Sequence, residues 1–211
     1  MPEIIYYALD LETNGLSTEY HEICEFSLLR MKDKVQLTRN IKVDNPENSS
    51  LDALRITNKT IEDLKHGISR EQLLADVDRF LNQDGSNPDN RCLVGHNVVN
   101  FDKRFLWALW EKQCKYFPIN LYLDTLKMSK DYTKQLGLVK PKHTLEAMCD
   151  QLGIQKVAGL HNAKSDTRNC YLIFNELIKN GVDHLKHMEY ISHAPIEEEN
   201  VNELMEDEDR Y

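Results

Sequence analysis

No Cys-x-x-Cys pair occurs in this sequence. Its five cysteines, Cys24, Cys92, Cys114, Cys149 and Cys170, are scattered and odd in number. Such a set does not build a disulfide framework and suits free thiols in a reducing compartment, so the expected setting is intracellular, in the cytoplasm. A long hydrophobic run is missing as well. The first apolar stretch, Ile4 to Leu11, is too short to span a bilayer, is broken by Asp10 and follows no basic segment, which argues against a membrane partner and a secretory leader. There is also no surplus of basic residues. The 26 Lys and Arg against 35 Asp and Glu leave a formal charge of -9, the wrong sign for a surface that grips phosphates. That total misleads, because Glu197, Glu198, Glu199, Glu203, Glu206, Asp207, Glu208 and Asp209 face only Arg210 at the C-terminal end, and the rest holds 27 acids against 25 bases. A body so close to neutral does not exclude a polyanion, and acids that bind divalent cations turn the local field positive.

What is present is 211 residues with 41% hydrophobic content, enough for one domain with a true core. That domain is expected over residues 1–195. Residues 196–211 are too acidic and too poor in apolar side chains to pack, and read as a flexible tail.

Ile4 to Glu12 has strand composition and runs into the turn Thr13-Asn14-Gly15; Ile23 to Met31 and Gln36 to Val43 read as two further strands of an antiparallel meander. Apolar spacing predicts a helix over Ser69 to Leu81, with Ser69 and Gln72 placed as a capping box. A short strand at Cys92 to Val94, a helix at Asp102 to Gln113 and a strand at Ile119 to Leu123 follow. Helices are then expected at His143 to Leu152 and Ala163 to Asn180, stopped by Gly153 and Gly181, with a last short helix within 182–196. Three hairpin-linked strands followed by alternating helices and strands make an α/β fold, a mixed central sheet covered by helices, in the order of a ribonuclease-H-like fold.

Asp10 and Glu12 lie two apart on one strand and leave the same face, at the end of an otherwise apolar run. They are either solvated strand-end residues or a pair that a hard divalent cation neutralises. In Gly95-His96-Asn97-Val98-Val99-Asn100-Phe101-Asp102 a buried strand gives way to a helix with Asp102 in its first turn, where Asn100 reads as the cap. In His161-Asn162-Ala163-Lys164-Ser165-Asp166, a five-residue helical step would turn the two outer side chains about 140° apart. His161 therefore belongs before the helix and Asp166 inside it.

Taken together, Asp10-Leu11-Glu12-Thr13, Asn97-x3-Phe101-Asp102 and His161-x-Ala163-x2-Asp166 resemble the three motifs of the DnaQ-like exonucleases of the DEDD group. A histidine in the third motif resembles the histidine branch, DEDDh. The resemblance spans residues 4 to 180. It implies a 3′-to-5′ exonuclease of single-stranded DNA or RNA that releases nucleoside monophosphates, with Asp10, Glu12, Asp102 and Asp166 holding two divalent cations, Mg²⁺ or Mn²⁺. It further implies His161 as general base, with Glu12 also catalytic. Thr13, Leu16, Asn97 and Phe101 would contact the terminal nucleotide. A polymerase or another replication or repair protein is the partner this kinship adds. Lys127, Lys130, Lys134, Lys140 and Lys142 read either as a track for a single-stranded backbone or as a solvated face, and Asp124 reads as a helix cap. The competing function is a non-catalytic adaptor that binds nucleic acid or a polymerase through the same fold.

Overall fold

The computed structural model describes residues 3–157 and 161–193. The expected tail, 196–211, lies outside them. Strands β1 (Ile5–Thr13), β2 (Ile23–Arg30) and β3 (Val35–Asn40) form the meander, and β4 (Arg91–Gly95), β5 (Leu121–Asp124) and β6 (Met188–Tyr190) complete one sheet of order β3-β2-β1-β4-β5-β6. β1 pairs antiparallel to β2 and parallel to β4, and β4 parallel to β5. This is the expected ribonuclease-H-like arrangement of a mixed sheet with helices on both faces.

The alternation of β1 sorts the layers. Tyr7, Leu9 and Leu11 face the core built with Leu73, Val77 and Phe80 of α3 (Arg70–Asn82) and Phe105, Leu106 and Trp110 of α4 (Asp102–Glu111). On the opposite face, Tyr6 packs with Met128 of α5 (Thr125–Gln135), Met148 of α6 (Leu145–Gln151) and Cys170, Ile173, Phe174 and Leu177 of α7 (Ala163–Lys179). Asp10 and Glu12 share the parity of Tyr6, so they point toward α7.

Two short helices, α1 (Leu51–Thr57) and α2 (Ile61–Leu64), occupy a stretch the sequence left unassigned. α1 buries no residue, so no apolar period marks it. The span of α5 was missed for a related reason: its buried positions are Thr125, Met128, Ser129 and Thr133, mostly polar, although the reading of Asp124 as its cap holds, with the carboxylate accepting from Leu126 N at 2.9 Å. Ser69 caps α3 by accepting from Gln72 N, but the Gln72 side chain donates to Asp76 rather than closing the box. Within 182–196 the expected helix is a single 3-10 turn, His184–His187, and the chain then pairs antiparallel with β5 as β6. All five cysteines are free, Cys114 alone exposed. Among the described residues, no helix is long and apolar enough to cross a membrane.

Candidate active site

The cleft forms where β1 outruns its parallel neighbour. Pairing with β4 ends at Ala8–Val94, whereas pairing with β2 continues to Thr13–Ile23 through a register shift after Glu12. Asp10 and Glu12 therefore project past the end of β4 into the crevice at the carboxyl ends of the strands, the usual place for a site in such a sheet. α7 approaches from the same side. Its cap, Asn162, accepts from Ser165 N at 2.9 Å, which sets Asp166 in the first turn. One carboxylate oxygen each from Asp10, Glu12 and Asp166 can lie within 4.8 Å of the other two. Asp102 is the first residue of α4 and is buried, close enough to Asp10 to raise that carboxyl's pKa. It adjoins that triplet without joining it.

The cost of this crowding shows in the acidities. Burial, then Asp102, Glu12 and Asp166, push the Asp10 carboxyl well above its ordinary range. Burial with Asp166 and Glu25 raises Glu12 to about 7, and burial with Asp124 raises Asp102 to about 8. Burial also raises Asp166, opposed by hydrogen bonds from Asn169 and the His161 main chain. Two buried carboxylates, Asp102 and Asp166, and two half-buried ones, Asp10 and Glu12, whose charges repel one another are the donor set that a hard divalent cation neutralises.

His161 stands just before Asn162, as its spacing with Asp166 required. It adopts left-handed backbone (φ 61°), its main-chain N donates to Asp166 Oδ2 at 3.1 Å, and its side chain is exposed. The residues leading into it, 158–160, lie outside the described set.

The turn after β1 is braced. The Thr13 hydroxyl donates to Gly15 O (2.7 Å), Asn14 bonds Ser49 and Glu22, and a Cβ at Gly15 would meet the His21 ring at 2.2 Å. Leu16 at its tip is 77% exposed, so it is not a core residue. Asn97 is left-handed (φ 74°) and Phe101 packs on Phe105 at 5.1 Å between centroids while remaining partly exposed. Asn100 does not cap α4. Phe101 occupies the cap position, and the Asn100 amide instead donates to Asn97 Oδ1 at 3.2 Å.

Two features escaped the sequence reading. Glu25 lies directly across the β1–β2 ladder from Glu12, and Lys59, at the end of the α1 turn, pairs with it at 3.2 Å. Glu25 sits in an apolar strand, so a polar break in that run was the only available signal; Lys59 had none, because only tertiary folding brings it there. Asp124 does more than cap α5. Its Oδ1 also accepts from Asn97 N at 2.8 Å, tying the β4–α4 turn to the β5–α5 turn, while its buried Oδ2 has no hydrogen-bond partner among the described residues. His96 joins the same corner, with Nδ1 on Thr125 Oγ1 (3.0 Å) and Nε2 on His143 O (2.6 Å).

The sequence matches the family RNase_T, described as exonuclease, over residues 7–174. It is 29% identical over 178 residues to the DNA polymerase III PolC-type of Mycoplasma genitalium, covering 82% of this chain and 11% of that protein. The chain spans only 11% to 13% of the length of the first curated relatives it matches. Among solved structures, the nuclease domain of 3'hExo, a DEDDh family member bound to rAMP, superposes with a TM-score of 0.67 at 16% identity, covering 92% of this chain and 98% of that one. Exonuclease I of E. coli in complex with a dT13 oligonucleotide gives a TM-score of 0.69 at 17% identity, covering 84% and 41%. At these identities the structural likeness is one of fold.

Proposed function

Because the chain belongs to the RNase_T exonuclease family, we propose that it hydrolyses phosphodiester bonds from the 3′ end of single-stranded DNA or RNA and releases nucleoside monophosphates. The approach of Asp10, Glu12 and Asp166 to within 4.8 Å of one another carries this reading, with Asp102 buried beside them. These four carboxylates would hold two divalent cations, Mg²⁺ or Mn²⁺. Bound there, such ions acidify a water and stabilise charge on the leaving oxygen.

The chain's own groups divide the remaining work. His161, on the left-handed turn that leads into α7, accepts the proton of the attacking water; imidazole is the side chain best matched to that task near neutral pH. Glu12 serves as ligand and orients that water. The main chain at Thr13 and the side chain of Leu16 meet the terminal nucleotide, and Asn97 and Phe101 line the same pocket. The place of Leu16, exposed at the tip of the braced turn that follows Asp10 and Glu12, supports its role as a wedge between the last bases. The PolC-type relatives support a polymerase or another replication or repair protein as partner, which co-purification from cells would test.

The activity itself is tested with 5′-end-labelled DNA and RNA oligonucleotides in Mg²⁺, beside a circular single strand. A ladder shortening from the 3′ end, abolished by EDTA, with the circle untouched, is the expected result. Folded protein that shortens neither strand, or that opens the circle, would refute the proposal.

A further inference from the structure

The segment from Thr125 to Thr144 is the basic counterpart of the acidic cleft. It holds Lys127, Lys130, Lys134, Lys140 and Lys142 against one acid, Asp131, in a chain of net charge -9. Lys127 is tied to Glu189, and Asp131 meets His187. Lys130, Lys134, Lys140 and Lys142 are exposed, and none forms an ion pair among the described residues.

The loop that carries the last two lysines is held rather than loose. Leu138 N donates to Thr133 O at 3.1 Å, Gly137 takes the left-handed backbone (φ 67°) that ends α5, and Gln151 Nε2 donates to Lys142 O at 2.7 Å. His143 folds back on α5 through Thr133 Oγ1 at 2.9 Å, and its carbonyl meets His96 at 2.6 Å, one residue from Asn97. The loop is thus continuous with the β4–α4 turn that delivers Asp102. Its tip presents Leu136, Leu138 and Val139, which are 55%, 46% and 88% exposed. A loop anchored at both ends that offers lysines and apolar side chains together, beside a cleft, matches the chemistry of a single-stranded polyanion with base faces.

From this continuity and charge we infer that the α5–α6 loop is the surface along which the strand runs away from the cleft, with Lys130, Lys134, Lys140 and Lys142 contacting its phosphates. This rests on the proposed nucleolytic reading and adds where the rest of the strand lies. A phosphate chain entering the field of an acidic protein is drawn to its locally positive face, and each contact releases counterions. Phosphate contacts do not report the sugar, so DNA and RNA are held alike here.

Binding of fluorescent 12-nucleotide DNA and RNA strands is followed by anisotropy in EDTA, where nothing is cut, across a salt series. Removing four phosphate contacts should lower the slope of log K against log salt by about 2 to 3, at roughly 0.7 per contact for single strands. The variant carries Lys130→Ala, Lys134→Ala, Lys140→Ala and Lys142→Ala together; a variant with Arg at the same four positions should keep the wild-type slope. A control of equal charge change, Lys32→Ala, Lys34→Ala, Lys42→Ala and Lys65→Ala, should also keep it. An unchanged slope in the first variant, an equal drop in the control, or wild-type protein without salt-dependent binding each overturns the inference. Because the readout is binding, such a failure is distinct from absence of EDTA-sensitive shortening.

Discussion

Glu12 offers a direct measure of how strongly the cleft's carboxylates oppose one another. Burial, Asp166 and Glu25 raise its carboxyl from 4.5 to about 7, against the pull of Lys59. The folded chain therefore holds this proton more tightly than the unfolded chain. Its contribution to stability is fully present below about pH 4.5 and is lost as the pH rises through about 7. At 1.36 kcal/mol per pH unit the loss is on the order of 3 kcal/mol. For a domain of this size that corresponds to roughly 6 to 12 °C in melting temperature. Thermal melts in EDTA between pH 4.5 and 8, on the wild type and Glu12→Gln, isolate the effect, since the amide cannot titrate. The wild type should fall more steeply by about that amount, and saturating Mg²⁺ should flatten its curve by favouring the ionised carboxylate. Parallel curves for the two proteins in EDTA would refute the crowding at Glu12 on which the cation site is argued.

Three further outcomes follow from the same geometry. Asp10→Asn removes one of the mutually repelling charges, so hydrolysis should drop by about a thousandfold or more while the melting temperature stays level or rises; a loss of fold would make Asp10 structural. Asp124→Ala strands the Asn97 and Leu126 N–H groups and should cost about 3 kcal/mol in urea denaturation, whereas Asp124→Asn, which keeps one acceptor oxygen, should cost about 1 or less; equal losses would sink the clamp. Leu16→Ala should leave stability within about 0.5 kcal/mol, because the side chain is 77% exposed, yet raise KM for oligonucleotides several-fold, and an unaltered KM would remove Leu16 from substrate binding.

The legible parts of the sequence were those where local chemistry and tertiary role agree. β1 announced itself by its Ile, Tyr and Leu composition and the turn that follows, and α7 by the Gly181 that stops it. Asp10, Glu12 and Asp166 were readable because the three motifs occur together and in order, each at a strand end or helix start; singly, each acid has an ordinary reading as a solvated or first-turn residue. Elements whose buried faces are polar or absent stayed silent, as with α5 and α1. Short β6 was read as helix because three residues that complete a sheet edge carry no period, and their pairing with β5 is a long-range event.

By itself, then, the order of residues determined the ribonuclease-H-like fold, the three motifs and which carboxylates had to be considered together. Folding alone decided how close those carboxylates come, that Glu25 stands opposite Glu12 with Lys59 as its counter-ion, and that Asp124 ties two turns beneath Asp102. The reason is physical. Backbone propensity and side-chain period act over a few residues, whereas Coulomb repulsion and desolvation depend on separations of a few ångströms between groups far apart in the chain, and those exist only once the sheet has set its register.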